Sequence, residues 1–154
     1  MLKIKLIKQL KSHCGPASLE MVLNYYGIIK DQKKLGKICR TDMAIGTLAE
    51  KLVEAAKNLG LKAEVINFAE LTDIEHYILK KKIPVIVRWF PGLQGHYSVA
   101  VDINKNKIFL ADPEIPSIRK LDRKKFMKAW FDYLDFFPTT KSRFLVRQLI
   151  VVSK

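Results

Sequence analysis

The order of the predicted elements indicates an α+β protein with a largely antiparallel sheet. Amphipathic helical patterns dominate the first part of the chain, and alternating or β-branched segments dominate the second part. Two strand patterns, 96–103 and 108–111, are separated by a short polar segment and therefore predict a β-hairpin. Helices followed by a meander of strands are typical of the α+β class.

Length and composition predict one domain over residues 1–154. The chain has 154 residues, and 49% of them are hydrophobic, which is enough for a normal core. Residues 1–8 alternate lysines with apolar residues, and this pattern predicts a strand rather than a signal peptide. The apolar runs are also too short to cross a bilayer, which takes about 20 residues. We therefore expect a soluble, cytoplasmic protein.

The chain is strongly basic, with 28 Lys and Arg, 15 Asp and Glu and a net charge of +13. Clusters such as Lys80–Lys82 and Arg119–Lys125 lack the motifs of zinc fingers, RNA-recognition domains and helix-turn-helix domains. Lysine-rich helix faces are mostly solvated surface. The other interpretations are attraction of an acidic peptide, a membrane surface or nucleic acid. We do not expect nucleic acid as a partner, because only the charge supports it.

A cysteine stands just before the first predicted helix. Cys14 stands directly before Gly15-Pro16, and proline suits the first position of a helix. Gly27 suits the left-handed residue that follows the helix. The apolar stripe of this helix consists of residues three or four positions apart, namely Leu19, Val22, Leu23 and Tyr26. The positive end of a helix dipole favours a thiolate over a thiol, so Cys14 is a candidate nucleophile.

Two further helices are predicted before the first central strand. A short basic helix over 31–39 begins with Asp31 as its cap. Thr47 and Glu50 stand three positions apart before an apolar run, so they predict a capping box for the next helix. Gly60 is expected to end that helix, because glycine is favoured at this position.

The middle of the chain predicts a strand, a helix and a second strand. Residues 61–68 alternate between apolar and polar side chains, as a half-buried strand does. A helix over 73–82 follows, with Thr72 as its predicted cap. Residues 83–90 are rich in β-branched and aromatic side chains, and a strand tolerates Pro84 near its beginning.

After the hairpin, the end of the chain predicts one more helix and a final strand. The helix covers 121–130, has Asp122 as its cap and buries Phe126 and Trp130. Residues 143–152 predict the final strand, because they are rich in apolar and β-branched side chains.

The chain contains three histidines, and His96 is the one best placed to serve a nucleophile. His13 adjoins Cys14, but neighbours at a helix start project in different directions, so we expect it at the rim of the site. His76 lies on a predicted helix and is expected at or near the surface. His96 opens a hairpin strand whose partner ends at Asp112, because the proline that follows stops the ladder.

The register of the hairpin decides whether Asp112 can reach His96. With Asn104–Asn106 as a three-residue loop, Asp112 lies opposite Ser98 and diagonally beside His96 on the same face. A two-residue loop shifts the register by one and puts the two side chains on opposite faces. The sequence leaves both registers open.

The remaining polar candidates are an amide and a second cysteine. Gln9 stands five positions before Cys14, and its side-chain amide could form an oxyanion hole with the backbone N–H of Cys14. Cys39 is expected to be a small buried apolar residue, and we expect no disulfide between the two cysteines. The histidines and cysteines lack metal-ligand spacing, so we expect no metal and no other cofactor.

Three runs of the sequence resemble a known family. They are 9–27 with its Cys14-Gly-Pro motif, 95–102 and 108–113. In this order they resemble the papain-like cysteine peptidases that process double-glycine bacteriocin leaders. Residues 121–130 are similar to the C-terminal helix of that family, so the resemblance covers nearly the whole chain.

The resemblance implies a papain-like fold, with N-terminal helices packed on the sheet, and the roles of four residues. Cys14 would be the nucleophile and His96 the general base and acid. Asp112 would orient His96, and Gln9 would lie in the oxyanion hole. In the family the glutamine usually precedes the cysteine by six residues, whereas here the spacing is five. Either the loop is one residue tighter, or Gln9 is displaced.

The resemblance also implies a substrate and a partner. Members of the family cleave leader peptides after small residues, at Gly-Gly, and many are N-terminal domains of peptide-exporting ABC transporters. We therefore expect a cysteine endopeptidase with a peptide substrate. The basic charge favours an acidic leader peptide. Because no transporter sequence follows, we expect a freestanding member of the family or an excised domain, and the resemblance implies a membrane transporter as its partner.

Two other functions fit the same residues. A peptide-binding module with little or no activity would keep the fold and its cleft. The complete set of Cys14, His96 and Asp112 argues against this function, and the altered spacing of Gln9 argues for it. An acyltransferase would keep the nucleophile but pass the acyl group to an amine, as in papain-like transpeptidases such as the phytochelatin synthases.

Overall fold

The computed structural model describes residues 1–134 and 144–154, and three helices precede its first strand. Helix α1 spans Cys14–Tyr25, α2 spans Gln32–Ile38 and α3 spans Ala49–Asn58. Asp31 caps α2 as predicted, because its carboxylate accepts a hydrogen bond from the N–H of Lys34 at 2.9 Å. None of the helices in the described ranges has the length and apolarity that crossing a bilayer requires.

An antiparallel sheet of six strands forms the centre of the fold. The strands are β1 (Lys62–Ile66), β2 (Val85–Trp89), β3 (His96–Ile103), β4 (Lys107–Asp112), β5 (Ser117–Asp122) and β8 (Gln148–Ser153). Their order across the sheet is β1-β8-β2-β3-β4-β5, and every pair is antiparallel. A small second sheet pairs β6 (Phe131–Tyr133) with β7 (Phe144–Val146). The α+β class predicted from the order of elements is confirmed.

Two short helices complete the fold. Helix α4 spans Leu71–Glu75 and continues into a π-helical turn over His76–Lys81, and α5 spans Arg123–Ala129. Asp122 caps α5, as predicted, by accepting a hydrogen bond from the N–H of Lys124 at 2.9 Å. The helix begins after residue 121, because the unpredicted strand β5 occupies that part of the chain.

The main sheet buries apolar side chains on both faces, because successive residues of a strand point in opposite directions. One face packs against buried residues of α1, α2 and α3 and includes Ile86, Tyr97, Val99 and Ile150. The opposite face packs against α4 and α5 and includes Val87, Trp89, Leu110 and Leu149. The start of β3 therefore lies between two packed layers.

The strand predicted over residues 1–8 does not form. The segment lies beside β3, but β3 is already paired on one side with β2 and on the other side with β4. The segment makes one backbone bond to β3, from the N–H of Leu2 to the carbonyl of Val101 at 2.9 Å. Its apolar residues still turn inward, and Leu2, Ile4 and Ile7 pack half-buried on the core. The alternation was correct, but no ladder position was free for it.

Two predicted helix caps are wrong. Helix α3 begins after Leu48, and the hydroxyl of Thr47 instead bonds the hydroxyl of Thr41 at 2.7 Å. Helix α4 begins at Leu71, so Thr72 lies inside it, and Glu70 forms the capping box with Asp73. Thr47 is drawn away by a residue from the preceding segment, and at α4 the nearby Glu70 takes the role of cap.

The predicted final strand is divided in two. Strands β7 and β8 are separated by Arg147, whose φ of 48° is left-handed and interrupts extended geometry. Residue 143, the predicted first residue of this strand, lies outside the described residues. Strand β8 lies in the main sheet between the edge strand β1 and strand β2.

Candidate active site

Cys14 is the first residue of α1 and is a half-buried free thiol. Gly15 lets this helix start lie close to the segment that precedes α3. A Cβ atom on Gly15 would lie 3.2 Å from the Cβ of Thr47 and 3.3 Å from Cδ1 of Leu52. The contact fixes the position of the helix start, and with it the direction in which Cys14 enters the site.

The hairpin of β3 and β4 contains a β-bulge that the sequence did not reveal. Next to the loop, Ile103 pairs with Ile108, and Asn104 N–H donates to the carbonyl of Lys107 at 2.9 Å, so the loop proper has two residues. The register then shifts between Ala100 and Asp102. Of the two loop lengths that the sequence left open, the structure has the two-residue loop.

The bulge nevertheless gives His96 and Asp112 the same register that a three-residue loop would have given. Beyond it, Val99 pairs with Ala111, which extrapolates to Asp112 opposite Ser98. An extra residue in one strand turns all later side chains of that strand to the other face. His96 and Asp112 consequently lie on one face of the sheet.

His96 and Asp112 form a buried hydrogen-bonded pair. Nε2 of His96 lies 2.9 Å from Oδ1 of Asp112, with side chains 5% and 0% exposed. Oδ1 also accepts the N–H of Glu114 at 2.8 Å, and Oδ2 accepts Nη1 of Arg119 at 2.8 Å. Burial opposes the charge, but the bonds from His96 and Arg119 outweigh it and lower the pKa of Asp112.

The structure also brings His96 to Cys14. Burial would lower the pKa of His96, but the hydrogen bonds to Asp112 and to Cys14 outweigh it and raise this pKa from its usual 6.5 to about 9. Because Nε2 already faces Asp112, Nδ1 is the ring nitrogen left for the sulfur. The sulfur, the imidazole and the carboxylate thus stand in one row, which is the order that nucleophilic catalysis requires.

Two residues near this row were not predicted from the sequence. Trp89 pairs with His96 across β2 and β3, and their rings lie 6.4 Å apart. Its Nε1 donates to the hydroxyl of Ser98 at 3.1 Å. Arg119 belongs to β5, which has no clear sequence pattern, so only the sheet register could reveal it. The sequence places Trp89 in a predicted strand, but it does not show that Trp89 pairs with His96 in β3.

Gln9 reaches the site through its backbone. Its N–H donates to the carbonyl of Pro113, the residue after Asp112, at 2.8 Å. The loop to Cys14 is tight, because Ser12 is left-handed with φ 59° and His13 N–H bonds the carbonyl of Leu10 at 3.0 Å. The Oε1 atom of Gln9 is buried without a hydrogen-bond partner among the described residues.

His13 lies in a groove beside the site, as expected for a rim residue, and His76 is exposed. Nδ1 of His13 lies 2.7 Å from the carbonyl of Lys11, and its ring packs on Gly36, where a Cβ would lie 2.5 Å from Nε2. The groove has a volume of about 430 Å³ and is lined by Leu10, His13, Lys33, Gly36, Lys37, Arg40 and Thr41. We call it the basic groove.

A buried polar cluster connects the two sides of the site. Arg88 donates Nε to Asp132 and Nη1 to the hydroxyl of Tyr97 at 3.2 Å. That hydroxyl donates to the carbonyl of Thr47 at 3.0 Å. Asp132 lies so close to Gly95 that a Cβ there would overlap the carboxylate. The cluster therefore runs from the residue before His96 to the segment that packs on the start of α1.

The ligand atoms of His96, Asp112 and Glu114 lie within 4.8 Å of one another, close enough to hold a metal ion. However, both oxygens of Asp112 already accept hydrogen bonds, and one of these comes from Arg119. A metal ion would therefore have to displace the guanidinium of Arg119, a cation that already binds Asp112. The arrangement suits proton transfer between Cys14, His96 and Asp112 better than metal binding.

Comparisons with known proteins identify the family of the chain. The sequence profile of the peptidase C39 family matches residues 3–142. The chain is 33% identical over 123 residues to the pediocin PA-1 transport/processing ATP-binding protein PedD of Pediococcus acidilactici. That match covers 78% of this chain and 16% of PedD, so the chain spans about a sixth of this curated relative.

Two solved structures are similar to nearly the whole chain. The peptidase domain of Streptococcus ComA, a bi-functional ABC transporter involved in quorum sensing, has a TM-score of 0.74 at 24% identity, covering 97% of both chains. A double glycine motif protease from an AMS/PCAT transporter, solved in complex with the leader peptide, has a TM-score of 0.70 at 23% identity. The latter match covers 99% of this chain and 92% of that one. These similarities confirm the papain-like peptidase fold that the sequence resemblance implied.

Proposed function

The chain belongs to the peptidase C39 family, and from this premise we propose that it is a cysteine endopeptidase that acts through an acyl-enzyme on Cys14. The observation that carries the proposal is the row formed by the half-buried Cys14 and the buried pair of His96 and Asp112. Because the imidazole has an elevated pKa of about 9, the cationic form that stabilises a thiolate is the main one at neutral pH.

The proposed reaction has two steps. The Cys14 sulfur attacks the carbonyl carbon of the substrate, the C–N bond breaks, and the leaving amine takes a proton from His96. A water molecule then attacks the thioester and gives its proton to His96, and the C–S bond breaks to release the carboxyl product. Asp112 holds the ring of His96 in place during both proton transfers.

Two donors are proposed for the oxyanion that forms in each step. The first N–H groups of a helix lack partners within the helix, so the N–H of Cys14 is free to donate. Gln9 is tied beside Asp112 through its backbone bond to Pro113. We assign its side-chain amide as the second donor, since amide donors of this kind stabilise tetrahedral intermediates.

The proposed substrate is a leader peptide that is cut after small residues such as Gly-Gly. Support comes from the similar protease solved with its leader peptide and from the processing role in the name of PedD. The same relatives suggest that a membrane transporter is the partner to which the processed peptide passes.

The basic groove suggests that the leader carries acidic residues. Lys33, Lys37 and Arg40 line it, and no carboxylate lines it within the described residues. Leu10 and His13, from the loop that leads to Cys14, form its other wall. A peptide that extends from the reactive sulfur could therefore place acidic side chains against these cations.

The proposal can be tested by peptide cleavage with two matched variants. We expect the wild-type protein and Cys39→Ala to cut leader peptides that contain Gly-Gly, and Cys14→Ala to lose at least about a thousandfold in kcat/KM. Cys39 is a suitable control because it is buried, and this burial raises the pKa of its thiol to about 12. Mass spectrometry of a peptide-aldehyde adduct should place the label on Cys14.

Several outcomes would contradict the proposal. Cleavage that persists in Cys14→Ala would remove the nucleophile from the reaction. Binding of leader peptides without any cleavage would indicate the binding module. A product that carries an added amine in preference to water would indicate an acyltransferase.

A further inference from the structure

We propose that Arg119 is a positioning residue that keeps the Asp112 carboxylate ionised and turned toward His96. This role rests on the proposed function, because it concerns the same proton-transfer row. Arg119 lies in β5, the strand that follows the hairpin. It therefore comes from a third segment, separate from the helix start at Cys14 and from the hairpin.

The contact divides the two oxygens of Asp112 between separate tasks. Oδ1 faces His96 at 2.9 Å, and Oδ2 accepts Nη1 of Arg119 at 2.8 Å. The Asp112 side chain is 0% exposed, so solvent cannot replace a lost partner. Without Arg119, Oδ2 would be a buried charged acceptor that the described part of the chain leaves unpaired, and this is costly for an ionised carboxylate.

Arg119 is itself held by the sheet and by an aromatic ring. Asp112 pairs with Ser117 and Leu110 pairs with Arg119, so Arg119 lies diagonally beside Asp112 on the same face. Its guanidinium carbon lies 5.0 Å from the centre of the Trp89 ring. The flat guanidinium can stack on the ring and bond the carboxylate at once, which a lysine ammonium cannot do.

The charges around Asp112 alternate along the row. Arg119 is cationic, Asp112 anionic, His96 cationic and Cys14 anionic in the ion-pair state. Glu114 also lies beside His96 and Asp112, and its carboxylate is exposed. Arg119 opposes protonation of Asp112 in acid, and a protonated Asp112 would no longer stabilise the imidazolium of His96.

Thiol alkylation tests this role without a substrate. Iodoacetamide reacts with the thiolate. The pH dependence of the rate at which it labels Cys14 therefore reports the ion pair with His96. In Arg119→Met, which keeps packing on Trp89 but loses the charge, we expect the acid limb of this profile to move up by about one pH unit or more. On that limb the labelling rate should fall about tenfold at a given pH.

Two further variants separate positioning from charge. Arg119→Lys keeps the charge but not the planar fork, and it should shift the limb by less than Arg119→Met. Lys120→Met removes a charge from the exposed neighbour in β5 and should retain the wild-type profile. If Arg119→Met fails to fold, the test rests on Arg119→Lys. A shifted acid limb in that variant would support the positioning role, and an unchanged limb would contradict it.

An Arg119→Met profile identical to that of the wild type would overturn the positioning role. If that unchanged profile is found while the wild-type protein cleaves leader peptides, the proposed function remains intact. Conversely, a shifted profile in a protein that cuts none of the leader peptides would support the positioning role and count against the proposed peptidase.

Discussion

At the residue scale, Gly95 is required because the carboxylate of Asp132 occupies the space of a side chain. Gly95→Ala would push Asp132 away from Arg88, with which it forms a buried ion pair. Removing one partner from such a pair destabilises a protein by about 3–5 kcal/mol. We expect Gly95→Ala to lose stability of this order in urea unfolding, and also to slow labelling of Cys14, since His96 follows directly.

Gly92→Ala is the matched control for this change. Gly92 is exposed in the same loop, and a Cβ there would have no neighbour within 4 Å. Equal stability of the two variants would show that Asp132 can move without loss.

A second expectation at this scale concerns His96 and pH. Its pKa is 6.5 before folding and about 9 in the folded protein, so folding favours its protonated form. The resulting stabilisation is complete below about pH 6.5 and is lost as the pH rises through 9. A rise of this size corresponds to about 3 kcal/mol.

We therefore expect the free energy of unfolding to fall from pH 6.5 to pH 10 by about 3 kcal/mol more in the wild type than in His96→Gln. The difference between the two proteins removes the titration of lysines and tyrosines that they share. Parallel curves would mean that His96 is not held in its charged form by Asp112 and Cys14.

At the element scale, the bulge at Val101 determines the register that the site needs. The loop at Lys105 and Asn106 lies beyond the bulge from His96, so loop length should matter little. We expect insertion of one glycine between these two loop residues to leave Cys14 labelling unchanged, because exposed loop tips tolerate insertions.

Deletion of Val101, in contrast, should turn His96 away from Asp112. We expect labelling of Cys14 at pH 6 to fall to the rate seen in His96→Ala. A loop insertion that abolished labelling, or a Val101 deletion that preserved it, would show that the loop determines the register.

At the scale of the whole molecule, the net charge of +13 is expected to attract acidic peptides. Salt screens this attraction, since the Debye length is about 10 Å at 0.1 M. We expect kcat/KM for an acidic leader peptide to fall several-fold between low and high salt, and kcat/KM for a neutral peptide to change little.

The contribution of the basic groove can be separated from net charge. Lys33→Gln with Lys37→Gln removes two charges from the groove, and Lys80→Gln with Lys81→Gln removes two from the π-helical turn. The groove pair should lower kcat/KM for the acidic peptide about threefold or more. Equal losses in both pairs would indicate a general field rather than a site.

Local patterns in the amino-acid sequence are enough to predict the elements that carry the site. The start of α1 at Cys14, the cap at Asp31 and the end of β4 at Asp112 all follow from interactions within a few residues. Helix dipoles, caps and the proline after Asp112 act over that range, so a pattern in one segment is enough to predict them. The resemblance of ordered blocks then pointed to the family.

How these elements meet depends on the packing of the complete fold. The bulge at Val101 corrected a register that the short loop alone would have set wrongly. Occupied ladders on both sides of β3 excluded residues 1–8 from the sheet. Arg119 and Trp89 reached the row through strand pairings that no local pattern contains. Contacts between distant segments depend on register and on competition for hydrogen-bonding edges, which the whole fold settles at once.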